Sequence, residues 1–499
     1  MRVKNYFAVA IILCSHIYVS AAANPEGFAI AKLSLESCLE RLLESNLEIK
    51  SEAISTQLRL EDILIVGEKF QSSIDIELKH GDLKRPSDFI FEQISDIKEK
   101  DSSLNIGIQK LWESGTLTSL EWSHSRVETN TSLNKINPGF ADKLNLKVIQ
   151  PLFQGRGKRI QTIELGKTKY LHQISEIRQR MKEEASLLQV SQLYWSLSLA
   201  RAYLVPLKSE IQLSKQIVAN KQAHYKQKMT TLYEVEKSIK NLKNIQLAFK
   251  KAENNVAQIN QQLVAEVFPI AALENKNLSI IPTTPFEYTP IKTKYNLNTL
   301  KTKAFFNRLE LKKEALNLAI AELNIIQTKD KTKSNTSLFA TAGSEGLSNN
   351  SINAMGRNHR FSFPNWELGI QLSFFLDPVS RKSHWQKAIL QKDKLALIEN
   401  NIKAQIVNEL TYALSIHKNT QIDSDETVLN IELQEKLIKR ITKELELGRN
   451  IALNKARELV KLKWMAFKQS ENISAQWMSQ AQLLSTQGLL FKFLIKEKT

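Results

Sequence analysis

The residues best suited to metal or nucleophilic chemistry are eight histidines (His16, His80, His124, His172, His224, His359, His384 and His417) and two cysteines, Cys14 and Cys38. No two histidines stand four apart and no Cys/His cluster occurs, so the spacing that gathers metal ligands on one face is missing. Gly155-Arg156-Gly157-Lys158 has the glycines of a phosphate cradle but lacks the spacing to a closing Gly-Lys-Ser/Thr. Serine, histidine and aspartate occur without a nucleophile-elbow pattern. The sequence thus predicts no enzyme, no cofactor and no metal site.

The N-terminus reads as an address. Arg2 and Lys4 give a basic start, Phe7 to Val19 an apolar run, and Ala21-Ala22-Ala23 the small residues of a cleavage site. Residues 1–23 are therefore predicted to be a signal peptide. The run is shorter than the ~20 apolar residues that span a bilayer. Ile12-Leu13 before Cys14 lacks the small residue that lipidation requires. After cleavage Cys38 is the sole cysteine, and no intrachain disulfide is possible. Export also bears on the net charge of +17, which in a cytosolic protein would point to nucleic acid. Between Leu207 and Lys251 there are ten lysines against Glu210, Glu234 and Glu236. This stretch is either a solvated helix surface or a face that favours acidic partners.

Long segments lack glycine and proline and carry helical apolar seams: Val190, Leu193, Leu197 and Leu204; Leu429, Leu433, Leu437, Ile441 and Leu445. Leu311, Ala315, Leu318 and Ile325 form one seam, with Leu316, Ile320 and Leu323 beside it, as suits a helix with neighbours on both sides. From Arg156 to Lys228 a helical path would reach on the order of 110 Å. Pro206 interrupts it, which predicts two helices end to end.

The chain repeats itself. Leu47-Glu48-Ile49-Lys50 returns as Leu309-Glu310-Leu311-Lys312, an offset of 262 residues. The same offset carries Glu52-Ala53 onto Glu314-Ala315, Lys69 onto Lys331, Ser72 onto Ser334 and Gly81 onto Gly343. Duplication accounts for a register that survives the change from helix to strand. The expected organisation is a first repeat over 24–268 with strands within about 72–152, a linker over 269–294, and a second repeat over 295–499 with strands at about 334–376.

Period-two alternation marks the strands. Ile74, Ile76 and Leu78 alternate with Asp75, Glu77 and Lys79; Leu144, Leu146 and Val148 with Asn145 and Lys147; Leu368, Ile370, Leu372 and Phe374 with Gly369, Gln371 and Ser373. Leu338, Ala340 and Ala342 make a weaker partner. One apolar face fits strands with lipid outside and water inside. Leu104, Ile106 and Ile108, then a turn at Gly115-Thr116, then Leu120 and Trp122, give a further pair. Whether 103–127 adds barrel strands or forms a surface hairpin stays open. Four or six strands cannot close a barrel alone, because small closed barrels begin near eight. An open edge in lipid would leave backbone groups unpaired at several kcal/mol each, so several copies must pool their strands.

This order resembles the TolC family of outer-membrane efflux and type I secretion channels over essentially the whole mature chain. Gln150-Pro151-Leu152-Phe153-Gln154-Gly155 is similar to the family's strand-to-helix junction, and Phe374-Phe375-Leu376-Asp377-Pro378 stands there in the second half. Leu47-Glu48 after Asn46 and Leu309-Glu310 after Arg308 resemble the family's repeat openings without their proline.

The resemblance implies a mainly α fold with a β-barrel portion. Long coiled-coil-like helices would form an α-barrel, beside a transmembrane β-barrel shared between subunits, with two structural repeats per chain. It further implies a homotrimer in the cell outer membrane extending into the periplasm. The expected partners are outer-membrane lipid, a periplasmic adaptor (membrane fusion protein) and an inner-membrane pump or secretion ATPase, with no nucleic acid. The runner-up is an exported periplasmic coiled-coil structural or adaptor protein without a pore. Junction residues would be Pro151, Gly155 and Pro378. The periplasmic tips that meet the adaptor would be Lys228, Met229 and Thr230, and Gly448, Arg449 and Asn450. The tunnel entrance would be lined by Glu234, Asn454 and Arg457, the last two standing where the family carries acids. If they face the lumen, the entrance attracts cations less than an acidic ring does.

Overall fold

The computed structural model describes residues 29–86, 95–131, 134–274, 277–287, 296–447 and 451–495. The predicted signal peptide lies outside them. In chain order the elements are β1 (Ala29–Leu33), α1 (Leu35–Ser45), α2 (Leu47–Glu68), β2 (Ser72–Pro86), β3 (Asp96–Leu111), β4 (Leu117–Thr129), β5 (Gly139–Pro151), α3 (Lys158–Gln161), α4 (Ile163–Lys226) and α5 (Leu232–Val267). Then come α6 (Pro269–Leu273), β6 (Leu278–Pro282), α7 (Leu297–Asn307), α8 (Leu309–Asp330), β7 (Asn335–Ser348), α9 (Ser351–His359), β8 (Pro364–Ser373), α10 (Val379–Glu446), α11 (Ala452–Thr486) and α12 (Leu490–Leu494). The pairs α1/α7 and α2/α8 begin at Leu35/Leu297 and Leu47/Leu309, both 262 residues apart.

The chain forms two compact units, and α2, α4, α8 and α10 carry it from one to the other. Unit 1 comprises Met1–Glu52, Arg178–Leu309 and Lys403–Thr499; unit 2 comprises Ala53–Ile177 and Glu310–Ile402.

In unit 1, β1 and β6 pair in parallel, which places a strand inside the segment between the repeats. The core joins Leu39 and Leu42 of α1 with Leu187, Val190, Tyr194, Trp195 and Leu197 of α4, Leu263 and Val267 of α5, and Ile280 of β6. Tyr194 is fully buried, and its hydroxyl cannot go unpaired there without penalty. It donates to Leu33 O and accepts from the amides of Thr283 and Thr284, at 3.0–3.1 Å. Cys38 is fully buried, and burial pushes its thiol up to about 12. Asn46 ends α1 and starts α2: its amide donates to Leu42 O while its side-chain oxygen accepts from Glu48 and Ile49.

Pro206 does not divide α4, contrary to the expectation of two helices; the helix runs unbroken over 64 residues. A proline removes one backbone bond, and the buried neighbours Leu197 and Leu207 hold the turns on either side.

In unit 2 a six-stranded sheet runs β2-β3-β4-β5-β7-β8, antiparallel throughout, so β5–β7 pairing joins the two repeats. The hairpin β3–β4 is part of this sheet and lies between β2 and β5. The helices of this unit touch side by side. Thr56 of α2 bonds Ser175 of α4, Gln327 of α8 bonds Glu164 and Lys167 of α4, and Glu322 of α8 pairs with Lys392 of α10 at 2.9 Å. Helix α8 thus has a neighbour on each side. Among the described residues no helix is long and apolar enough to cross a membrane.

Candidate functional site

The site begins with the two faces of the sheet. Register places Ile74, Ile108, Leu120, Leu146, Ala342 and Trp366 in one row across all six strands, and Ile76, Ile106, Trp122 and Leu144 two residues further along. The row between them, Asp75, Gly107, Glu121, Asn145, Gly343 and Asn365, points the other way. One face is therefore apolar and the other polar. Leu78 on β2 and Trp366 on β8 are each 81% exposed in the single chain, and Ile76, Leu368 and Ile370 are exposed with them. A sheet built for water on both sides would not carry such rows. On the polar face Asn105 donates to Glu77 at 3.1 Å and Lys143 pairs with Glu345 at 3.0 Å. Among the described residues the outer edges of β2 and β8 have no partner strand.

Pro151, Gly155 and Pro378 stand between strand and helix, and their partners are ones that spacing does not reveal. Pro151 ends β5, where its missing N–H costs nothing further along the ladder. Gly155 turns at φ +79° and donates its amide to the buried carboxylate of Asp330, while Gln161 donates to Gly155 O. Gly115, at φ +90° in the β3–β4 turn, sits so close to Gly155 O that any β-carbon would collide at 2.5 Å. In the second junction Pro378 O accepts from Lys382 as α10 begins. Arg381 stacks over Phe375 at 4.0 Å and donates to Lys331 O at 3.0 Å.

At the end of the sheet remote from these junctions, α9 packs on β5 and β7. Buried Asp142 accepts from Trp122 Nε1 at 3.1 Å, faces His124 Nδ1 at 3.0 Å and accepts from Asn358 Nδ2 at 2.5 Å; His124 Nε2 faces Ser351 Oγ at 3.0 Å. The order Ser351, His124, Asp142 has the connectivity of a nucleophile, base and orienting acid. The amides of Ile352 and Asn353 bond Asn350 Oδ1 at the start of α9. Through Ser351 and Asn358 the series ties α9 to β4 and β5. Among the described residues no group of three potential ligands is placed to hold a metal ion.

The helix tips lie in unit 1. Lys228, Met229 and Thr230 form the turn between α4 and α5. Lys228 adopts φ +60°, the amide of Met229 reaches back to His224 O at 2.8 Å and that of Lys228 to Tyr225 O at 2.9 Å. This is a Schellman cap with lysine where glycine is usual. Met229 stands 71% exposed. Thr231 Oγ1 accepts from the amide of Glu234, a start signalled by the Thr-x-x-Glu spacing. The Glu234 carboxylate pairs with Lys221 at 3.2 Å.

Gly448, Arg449 and Asn450 lie outside the described residues. Beyond them Arg457 reaches Asn454 at 3.4 Å, one turn away on α11. The acid on this stretch of α11 is Glu458, next to Arg457 and outside the spacing of six and nine residues past Gly448. It accepts from Lys461 at 2.8 Å and Gln434 at 2.9 Å, and these bonds hold its carboxyl below the usual range. It is turned toward α10 and already paired.

The chain joins a half-apolar sheet with long helices that recur in two copies, and comparison with solved structures bears on this architecture directly. The chain has the TolC-type fold. It matches the outer membrane channel CmeC of Campylobacter jejuni with a TM-score of 0.62 at 13% identity, covering 91% of this chain and 86% of that one. The outer membrane protein VceC of Vibrio cholerae matches at 0.60 and 10% identity, covering 91% and 96%. The open state of the MtrE outer membrane channel of Neisseria gonorrhoeae matches at 0.55 and 11% identity, covering 91% and 89%. No family model matches the sequence. No curated protein matches it either.

Proposed function

We propose that this protein is the outer-membrane exit duct of a tripartite efflux or type I secretion system, a passive channel across the outer membrane and periplasm. One observation carries the reading: a sheet with a continuous apolar face and two open edges, in a chain with the fold of outer-membrane channels. Six strands are too few to close, and unpaired backbone in lipid costs several kcal/mol per group. Copies of the chain relieve this by pairing β8 of one with β2 of the next. Because the strand count is even, that contact is antiparallel like the rest.

Three copies form the barrel in this proposal. The signal peptide brings the chain out of the cytoplasm, and the tips at Lys228–Thr230 and around Gly448–Asn450 receive a periplasmic adaptor coupled to an inner-membrane pump or secretion ATPase. The duct itself carries out no reaction. The pore-free adaptor alternative uses the same helices but leaves the apolar rows of the sheet without purpose.

Membrane fractionation and planar-bilayer recording test the proposal. The expected result is extraction only by detergent, a heat-modifiable trimer on gels, and discrete conductance steps. A monomer released without detergent that conducts nothing overturns it.

A further inference from the structure

The duplicated plan needs two strands per repeat, which the second repeat supplies as β7 and β8; the first repeat supplies four, β2 to β5. We infer that β3 and β4 are wall strands inserted into the barrel, giving six strands per protomer and a lumen wide enough for polypeptide folded as a helical hairpin. The inference rests on the exit-duct reading and adds to it a cargo class.

Four observations place the pair in the wall. Strand order sets β3 and β4 between β2 and β5, so they cannot swing away without breaking the sheet. At 16 and 13 residues they match β2 and β5, with 15 and 13, and exceed the roughly 9–11 residues that a tilted strand needs to cross a bilayer. Their alternation is in phase with their neighbours: Ile106, Ile108, Leu120 and Trp122 continue the apolar rows, while Asn105, Gln109, Ser119 and Glu121 continue the polar ones. A surface flap has no need to match both faces. Finally, their turn is fastened to the strand-to-helix junction. Gly157 donates its amide to Ser114 O at 2.8 Å and Lys158 pairs with Glu113 at 2.7 Å, so the pair ends at the level where β5 ends.

An inserted pair preserves the rest of the design. Removing both strands would set Ile74 directly across from Leu146, on the same face and still antiparallel. Width changes strongly, however. With strands about 4.8 Å apart and tilted about 40°, twelve strands give a backbone diameter of about 24 Å and eighteen about 36 Å. Inward side chains take up roughly 10 Å, leaving about 14 Å against about 26 Å. A helix with its side chains measures about 10–12 Å across. The narrower barrel would pass an extended chain or a single helix; the wider one passes a helical hairpin. The lumen rows are polar and carry both signs, Asp75, Glu77, Glu121, Lys143, Lys147, Glu345 and Glu367, and so offer no greasy surface to detain such a cargo.

Electron cryo-microscopy of the full-length assembly in lipid nanodiscs counts the strands, and eighteen are expected. Twelve wall strands with β3–β4 folded elsewhere overturn the inference and leave the duct reading standing, whereas a lone water-soluble chain overturns both. Polyethylene glycol of about 20 Å diameter, between the two estimated widths, should enter from the sheet side and lower the conductance of wild type. It should be excluded from the variant lacking Asp96–Thr129; equal entry into both overturns the width assignment. Should that deletion fail to assemble, Glu121→Cys supplies the readout. Cys38 is buried, so a charged thiol reagent finds the new cysteine alone and should block a large part of the current. Unchanged current places β4 outside the wall and overturns the inference.

Discussion

The buried carboxylate of Asp330 accepts the amide hydrogen of Gly155 at 2.8 Å across 175 residues of sequence. The last residue of α8, in the second repeat, thereby fixes the turn by which β5, in the first, becomes helix. Asp330→Ala leaves that amide without its partner and should destabilise the protein by about 1–3 kcal/mol in denaturant unfolding. Asp330→Asn keeps an acceptor and should lose less. An alanine variant as stable as wild type would contradict this role.

Lys228 holds a left-handed conformation that L-residues adopt at a cost of about 1–2 kcal/mol. Lys228→Gly should therefore raise the urea midpoint, with a gain on the order of 1 kcal/mol at unchanged slope. Lys228→Val, branched at Cβ, should lower it. The reverse order of midpoints would show that the cap does not govern this tip.

His417 on α10 is buried beside Ser479 Oγ at 3.0 Å, and burial lowers its pKa below the ordinary 6.5. The folded protein therefore prefers the neutral imidazole, and below pH ~6.5 the unfolded chain binds the extra proton. Stability from this group is fully present above pH ~6.5 and declines as pH falls toward the folded pKa. His417→Gln should flatten the stability profile across that window. A variant whose stability falls with acidification as steeply as wild type would rule His417 out as the cause.

Leu146 and Asn145 are sequence neighbours on opposite faces of β5. Leu146→Arg places a cation on the apolar face and should cost about 2–4 kcal/mol, with loss of the heat-resistant oligomer from the outer-membrane fraction. Asn145→Arg should assemble normally and alter conductance instead. Equal assembly of both would mean that the apolar face does not meet lipid.

Arg457 is exposed near the second tip, bonded to Asn454. If this pair lines the entrance, Arg457→Asp should shift the reversal potential in a salt gradient toward cation preference. Identical potentials for variant and wild type remove these residues from the lumen.

Periodicity made the elements legible before any coordinates. Side chains alternate every two residues on a strand and return every three to four on a helix, so Ile74–Leu78, Leu144–Val148 and Leu368–Leu372 announced strands, and the offset of 262 announced the repeat. Glycine and proline carry their backbone freedom or restriction as single residues, as the positive φ of Gly155 shows.

Partnership across the chain was not readable. The place of β3–β4 between β2 and β5 depends on which edges pair, and alternation within one segment does not name the edge it pairs with. Asp330 looked like any acid at a helix end until folding brought Gly155 to it. Asp142 and Arg381 likewise became structural only when Asn358 and the carbonyl of Lys331 arrived. Pro206 and Lys228 show the converse. Local preference argued for a break at the first and a glycine at the second, and packing around α4 together with the bonds of the turn outweighed both. Local rules act over a few bonds, while strand order, burial and capping partners are set by segments hundreds of residues apart.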